Sequence, residues 1–468
     1  MSSFASLNTA LSGLVAQRYG LDIAGQNIAN VNTPGYSRQR VELQSINPSA
    51  APQLSSTWDG PGAGVDVVDV ARLTDAFVNA RARAEGESAA RLKVADDVWT
   101  RIDGLLAEPT DEGLTHQVSQ FFSAWSDVTN RPDDDAARTA VVQSGVTVTD
   151  RLLRMGEDLA NQYTQRYEDM GAVVIDINAT STAIADLNRT IQQSTSAGLS
   201  VNELKDRRDV LVDKLVALTG ATVRDAGDST VDVFVNGMAA VRGVTADTLS
   251  IAPTSAASLA AVRLPGGTVS FQWGGGIPAS IPGGTISGTV EALTVTLPSV
   301  AVRLDAVALD MATQVNAIHS TGKGLDGVSG RAFFTGTTTA TLTVAVTAQQ
   351  VAAAAYNPLL PADQPLDGSI ADLIAQLGEA RTGPASTWRS AVTDFGASAQ
   401  SAGRRASLQA VAVTEANAAR AGVSGVDTDE ELTRMISFQR AYEASARVLT
   451  SIDQALDVLI NRTGLVGR

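Results

Sequence analysis

Residues that could carry out chemistry are few in this sequence. Histidine occurs only at His116 and His319, which lie far apart along the chain. Cysteine is absent, which excludes a thiol nucleophile, a thiolate metal site and a disulfide. Catalytic triads and zinc sites therefore have little to start from. We expect no catalytic residue, no metal site and no cofactor.

Gly322, Gly324 and Gly327 have the spacing of a dinucleotide-binding fingerprint. That motif requires a strand before it and a helix after it, because the amides of the helix N-terminus hold the pyrophosphate. Here the pattern predicts a helix before the glycines and none after them. The adjacent aspartates at 133–135 point in different directions, so they favour a helix cap over a calcium loop. The chain is predicted not to be an enzyme.

Length and charge narrow the class of protein further. A chain of 468 residues is too long for one core, so two or three domains are expected. The net charge of -15 opposes binding to nucleic acid or to an anionic membrane, and neither is an expected partner. The first residues lack the basic start and apolar core of a cleavable signal peptide, and an unbroken run of about 18 apolar residues is missing.

The clearest predicted element is a helix at the C-terminal end of the chain. Apolar residues at alternating steps of three and four predict a coiled-coil helix over residues 432–460. Thr428 and Glu431 are interpreted as its capping box, and Arg462 and Gly464 as its end. The predicted seam consists of Met435, Phe438, Tyr442, the polar Ser445, Leu449, Ile452, Leu456 and Leu459.

A second seam with the same spacing opens the chain, and we expect the two ends to pair in antiparallel fashion. One narrow seam on each helix leaves the other faces exposed to solvent, so the pair buries little apolar surface against the entropy of ordering two helices. Folding of the ends is therefore expected to be coupled to assembly. The second seam is interrupted at Arg18 and Gly25, and it consists of Phe4, Leu7, Leu11, Leu14, Leu21 and Ile28.

A turn motif follows the first helix. Asn30 favours the end of the helix, Pro34 and Gly35 favour a type II turn, and Tyr36 is a predicted anchor with a polar tip. The string resembles the N-terminal motif of the bacterial flagellar axial family of rod, hook and hook-associated proteins. The residues that carry the motif are Asn27, Asn30, Thr33, Pro34, Gly35, Tyr36, Arg38 and Gln39.

The resemblance extends to the hook-associated members of that family. It is carried by the stretches at 108–114, 121–125, 131–138, 202–209, 315–319 and 425–442. It implies a self-assembling structural protein that forms an adaptor layer at the hook-filament junction. The implied partners are further copies in a tubular layer, the hook protein, the second hook-filament junction protein and a flagellar export chaperone. It also implies an extracellular, flagellar location reached by type III export without a cleavable signal peptide.

The expected fold is α+β, a long-helix rod with paired N- and C-terminal coiled-coil helices and an inserted β-rich outer domain. The expected domains are the N-terminal helix at 1–31, the helical core at 32–220 with a turn and extended loop at 32–71, the insert at 221–375, the returning core at 376–427 and the C-terminal helix at 428–468. Two alternatives stay open. One is a rod or hook protein of the same family, and the other is a secreted coiled-coil protein with a binding or enzymatic insert at 221–375.

Overall fold

The computed structural model describes residues 3–46, 62–356, 367–458 and 460. The predicted helix end at Arg462 and Gly464 lies outside these residues, as do Leu459 and the side chain of Phe4. Long helices dominate the described part, and α4 alone has 62 residues. The helices are α1 Ser3–Ala29, α2 Ala76–Leu106, α3 Leu114–Asn130, α4 Asp135–Ser196, α5 Asn202–Thr219, α6 Leu259–Val262, α7 Gly284–Glu291, α8 Leu297–His319, α9 Ser369–Gln376, α10 Pro384–Ser424 and α11 Thr428–Asp457.

Short antiparallel strands form small sheets beside the helices. The hairpin of β1 (Gln39–Ser45) and β2 (Val65–Arg72) follows α1. One sheet has the order β3-β4-β5-β6 and the next has the order β7-β8-β9, while β10 pairs with β13 and β11 with β12. The remaining bounds are β3 Thr222–Asp225, β4 Val231–Val235, β5 Met238–Arg242, β6 Thr245–Ala246, β7 Leu249–Ile251, β8 Phe271–Trp273, β9 Ile277–Ala279, β10 Gly322–Lys323, β11 Phe334–Thr335, β12 Thr343–Val344 and β13 Ala354–Ala355. The predicted α+β class with long helices is confirmed.

Several element boundaries follow from local chemistry that the sequence shows. Asp134 caps α4, because its side chain accepts a hydrogen bond from the amide of Ala136 at 2.8 Å. Gly220 ends α5 at a φ of 69°, a conformation that suits glycine. Asn236 and Gly237 have φ values of 47° and 84°, and they form the tight turn between β4 and β5.

Two local predictions are wrong. Asp427, and not Thr428, caps α11, because its carboxylate accepts hydrogen bonds from the amides of Asp429 and Glu430. Glu431 is therefore free of a capping role and turns inwards. The threonine-rich stretch at 337–346 also predicts a β segment, but in the structure only the short strand β12 forms there, paired with β11. The intervening loop is held instead by the hydroxyl of Thr341, which accepts hydrogen bonds from the amides of Thr337 and Thr338.

The part of the chain from α2 to α10 is called the body, and its core joins distant parts of the sequence. Phe121 and Trp125 of α3 are fully buried against Phe333, with ring centroids 5.6 and 5.4 Å apart. The long helices α4 and α8 pack against each other in the same body. By length and composition alone, residues 135–196 and the helix over 284–319 could each cross a membrane. Both contribute core side chains here, which explains their apolar composition.

His319 is a fully buried core residue at the end of α8, between the rings of Trp125 and Phe333. Its Nδ1 donates to the carbonyl of Arg331 at 2.8 Å, and its Nε2 accepts from the amide of Ala352 at 2.9 Å. Only the neutral imidazole can make both bonds. Burial lowers the pKa of His319 below its ordinary value of 6.5, and the nearby guanidinium groups of Arg331 and Arg138 act in the same direction.

Replacing His319 by Phe should lower the free energy of unfolding by about 3 kcal/mol, since a buried carbonyl and a buried amide lose their partners. The unfolded histidine takes up a proton near pH 6.5, whereas the folded one does so only at lower pH. The parent should therefore lose stability relative to the variant as the pH falls below about 6.5. Urea unfolding at several pH values measures this difference, and parallel pH profiles would contradict it.

Candidate assembly site at the paired chain ends

Helices α1 and α11 pack along each other in antiparallel fashion. Asn27 is hydrogen-bonded to Glu431, a Cβ on Gly20 would lie 2.6 Å from the ring of Phe438, and a Cβ on Gly13 would lie 3.4 Å from the hydroxyl of Ser445. The positions fall by seven along α1 and rise by seven along α11. This register is that of an antiparallel coiled-coil pair.

The predicted C-terminal seam lies on the half-buried side of α11. Phe438 covers Gly20 closely, so that any larger residue there would overlap the ring. The intervening positions of α11 are mostly exposed. The half-buried seam members are Met435, Phe438, Tyr442, Ser445, Leu449, Ile452 and Leu456.

The N-terminal helix uses a different face from the predicted one. Its buried positions are small or polar, and the predicted Leu11 is 49% exposed, so its assignment to the pairing face is wrong. Close approach of Phe438 requires small residues opposite it, which excludes leucine from the centre of the contact. The buried positions are Ala10, Ala16, Gly20, Ala24 and Asn27, and the half-buried residues that flank them are Leu7, Leu14, Leu21 and Ile28.

A cluster of hydrogen-bonded polar side chains, the end cluster, joins the base of the two helices. It consists of Asn27, Tyr36, Arg38, Gln39 and Glu431. The amide nitrogen of Asn27 donates to the carbonyl of Gln39 at 2.9 Å and to Glu431 at 3.0 Å. Its oxygen accepts from the hydroxyl of Tyr36 at 2.8 Å and from the amide of Gln39 at 3.0 Å. Asn27 is thus fully satisfied and fully buried.

Arg38 connects this cluster to the start of α11. Its Nε donates to Glu431 at 2.7 Å, its Nη2 lies 2.6 Å from the same carboxylate, and its Nη1 lies 2.9 Å from Glu430. Glu431 is 1% exposed and Arg38 is 8% exposed, so this is a buried ion pair with further hydrogen bonds. The hydrogen bond to Arg38 also lowers the pKa of Glu430, which lies at the surface.

The turn motif supports the end cluster. The amide of Tyr36 donates to the carbonyl of Thr33 at 3.2 Å, and Gly35 between them has a φ of 78°, as a type II turn requires. Thr33 is held by Asn30, whose side-chain oxygen accepts from its hydroxyl. Burial, with Asp206 as the largest charge contribution, raises the pKa of Tyr36 to about 12. Tyr36 therefore keeps the proton that it donates to Asn27 at neutral pH.

The structure does not bring the other candidate residues together. His116 is exposed on α3, while His319 lies in the core. Gly322 lies in strand β10, and Gly324 and Gly327 form a turn that opens no helix. Within the described residues, no group of three or more His, Asp or Glu side chains is placed to hold a metal ion.

Sequence reasoning missed Glu431 as a partner of Arg38. The two residues lie 393 positions apart, and a contact at that distance leaves no periodic signal in one sequence. The available signal was the Asp427 to Glu431 stretch, which offered more acidic residues than one helix start requires. The small-residue face of α1 was also missed, although Gly13, Gly20 and Asn27 share the heptad spacing of the leucines beside them.

The paired chain ends, the long helices of the body and the small sheets define a long-helix fold of the α+β class. Comparisons with known proteins assign it further. The family model "Flagellar hook-associated protein FlgK helical domain" matches residues 99–334, about half of the chain. Models of "Flagella basal body rod protein" and "Flagellar basal body rod FlgEFG protein C-terminal" match residues 7–36 and 422–462, which are the paired ends.

Two relatives with known names, from Bacillus subtilis and Salmonella typhimurium, agree with these models. Flagellar hook-associated protein 1 of Bacillus subtilis (strain 168) is 27% identical, with 100% of both chains covered. The protein of that name from Salmonella typhimurium is 30% identical over 70% of this chain and 59% of its own length. The flagellar hook junction protein FlgK from Burkholderia pseudomallei aligns with a TM-score of 0.47 and 23% identity over 54% of this chain and 46% of that one. The chain belongs to the flagellar hook-associated protein family, and it is a structural axial protein of the bacterial flagellum at the hook-filament junction.

Replacing Glu431 by Gln should open the end cluster, because Arg38 would stay buried with only the surface carboxylate of Glu430 as a partner. We expect the free energy of opening of the Arg38 and Gln39 amides to fall by about 3 kcal/mol. Native-state hydrogen exchange of these amides measures it. Glu430→Gln is the matched control on the exposed neighbour and should change little. Equal effects of the two variants would show that burial of the pair is unimportant.

Proposed function

We propose that this chain forms an adaptor layer between the hook and the filament and assembles with its own copies through the terminal helices α1 and α11. The observation that supports this is the incomplete burial of that helix pair. Among the described residues of α11, only Glu431 is buried, whereas α4 buries a residue at almost every turn. A long helix covered on one narrow face keeps its other faces available for neighbouring subunits.

Apolar side chains occupy those uncovered faces. Leu11, Val15 and Tyr19 follow each other at steps of four along α1 and are each more than 40% exposed. On α11, Leu432 and Ile436 are exposed at the same spacing. Exposed apolar stripes of this kind mark interaction surfaces. In a tube, one such surface of each subunit fits a different surface of its neighbour, which gives a heterologous contact.

The proposed partners follow from this role. Below the layer lies the hook protein, above it lies the second hook-filament junction protein, and an export chaperone would cover the apolar stripe of α11 before assembly. The chain would reach the flagellum by type III export, and its role would be structural and not catalytic. The acidic charge of the chain gives no support to nucleic-acid or membrane partners.

The alternatives have less support. A rod protein would share the matches at residues 7–36 and 422–462, but the match at 99–334 is to the hook-associated family. An enzymatic or ligand-binding chain would need a site with uncommitted polar groups. A cavity of about 630 Å³ lies between α2, α5 and β3, but its Arg83 is paired with Asp209 and Asp213, and its Glu87 accepts from the amide of Gly284.

A gene-deletion strain tests the proposed function. It should build hooks of normal length but release flagellin into the medium, because flagellin would have no layer on which to assemble. Complementation with the parent gene should restore filaments. A deletion strain with normal filaments would contradict the proposed role, and a strain without hooks would favour a rod or hook protein.

Leu449→Asp should abolish assembly at the junction, because the charge would lie within the half-buried seam between α1 and α11 and could not be solvated once neighbouring subunits cover the helix pair. Filament counts and flagellin release in the complemented deletion strain measure the effect. The control is Gln454→Asp, which places the same charge at an exposed position of α11. Normal filaments with the Leu449 variant would exclude a function of the seam in assembly.

The isolated chain should show folding of its ends coupled to assembly. The pairing face of α1 is narrow and consists of small residues, so it contributes little apolar burial against the entropy of ordering two long helices. In a dilute, verified monomer, we expect near-unprotected amides over residues 3–26 and 433–457 and strong protection over residues 136–196. Hydrogen exchange measures both regions in one experiment. Strong protection of both ends would contradict the coupling while leaving the junction role intact.

A further inference from the structure

Helix α5 is the platform on which the turn motif lies. Its carboxylates Asp206, Asp209 and Asp213 follow at steps of three and four, so that they lie on one face of the helix. At the first turn of α5, Glu203 accepts from the side chain of Gln26 at 3.0 Å, and Asn202 donates to the side chain of Gln39 at 3.2 Å. The terminal helix pair thus contacts the body through α5.

The acidic face of α5 binds arginines from three other elements. Arg72 at the end of β2 lies 2.9 Å from Asp206 and 2.5 Å from Asp209. Arg83 of α2 lies 2.6 Å from Asp213, and Arg420 of α10 lies 2.6 Å from the same carboxylate. Carboxylates and arginines therefore alternate along α5 and hold the hairpin, α2 and α10 against it.

Asp206 differs from Asp213 because it also holds the turn motif. One of its oxygens accepts from the backbone amide of Ser37 at 3.1 Å, and the other faces Arg72. The side chain of Asp206 is 8% exposed, whereas that of Asp213 is 29% exposed. Ser37 immediately precedes Arg38 of the end cluster. A single buried carboxylate thus connects the turn, the hairpin and α5.

The turn itself has little room to move on this platform. A Cβ on Gly35 would lie 2.2 Å from the Cγ2 of Val210, so the backbone of the turn is in direct contact with α5. The hydroxyl of Ser37 also accepts a hydrogen bond from Arg72 at 3.3 Å. These contacts restrain translation of the turn. The ion pair of Asp206 with Arg72 restrains its rotation, because it holds the second strand of the hairpin, β2, at the same carboxylate that binds Ser37.

We propose that Asp206 is a positioning residue that fixes the turn motif and the β1–β2 hairpin, the base from which the terminal helix pair leaves the helical body. This inference rests on the proposed function for its biological purpose, since subunits in a layer must present their terminal helices at one angle to fit their neighbours. It assigns to α5 a task that is separate from the pairing of α1 with α11.

Spin labels test the proposal on the full chain. Because the chain has no cysteine, Arg40→Cys on β1 and Ile175→Cys on α4 give two unique labelling sites, both exposed. Pulsed electron paramagnetic resonance then gives the distribution of distances between the hairpin and the body. With Asp206 present we expect one narrow distribution. Asp206→Ala should broaden it by about twofold or more, because the hairpin and the turn lose their common anchor.

Asp213→Ala is the matched control. It removes a carboxylate with two arginine partners from the same helix but has no contact with the turn, so the distance distribution should stay narrow. Asp206→Asn keeps an acceptor for the Ser37 amide and should lie between the parent and Asp206→Ala. Melting temperatures of the body should agree within about 2 °C for Asp206→Ala and Asp213→Ala. Equal broadening by both alanine variants, or by neither, would overturn the proposal.

Assembly in cells gives the second measurement. In the deletion strain, Asp206→Ala should give several-fold fewer filaments than the parent gene, and Asp213→Ala should give normal numbers. A broadened distribution together with normal filament numbers would refute the positioning role. A deletion strain that builds normal filaments would instead refute the proposed function, and the distances measured in the isolated chain would still stand.

Discussion

The buried ion pair between Arg38 and Glu431 is the contact on which the rest of the structure depends. Two charges removed from water are tolerated only when their geometry is close and their remaining donors and acceptors are satisfied. Asn27 contributes to the second condition, since it donates to Glu431 and is hydrogen-bonded to Tyr36 and Gln39 on either side of Arg38. The pair joins residues that are 393 positions apart in sequence. The whole body therefore lies between two chain segments that meet at this ion pair.

The pairing of the two terminal helices follows from that closure. Asn27 and Glu431 set the register, and successive heptad positions bring Gly20 under Phe438 and Gly13 near Ser445. Small residues at the contact allow close packing, but they bury little apolar surface. The apolar residues of α1 that would bury more, such as Leu11 and Tyr19, face outwards. The helix pair is therefore well specified in register and incompletely covered, which suits a surface that neighbouring subunits complete.

The body supplies the stiffness that such a layer needs. Phe121 and Trp125 of α3 pack with Phe333 from a loop about two hundred residues later, and the neutral imidazole of His319 closes the same cluster. Because the cluster draws on α3, on α8 and on the loop after it, the region after Gly220 is continuous with the helical body at this point. The aromatic contacts join elements within the body. The acidic face of α5 joins the body to the hairpin and turn at the base of the terminal helices.

The sequence by itself determined the elements. Heptad spacing placed α1 and α11, the aspartates at 133–135 and Gly220 marked the start of α4 and the end of α5, and Pro34 with Gly35 marked the turn, because each of these signals acts within a few residues. The resemblance of the motif at residues 27–39 determined the family. Only the tertiary structure decided which faces meet. The leucines of α1 and its small residues have the same period, and the choice between them depended on the size of Phe438 on a helix at the other end of the chain. The role of Glu431 was decided in the same way. An acidic residue in the first turn of a helix is expected to take part in the cap, and only folding brings the buried Arg38 to it.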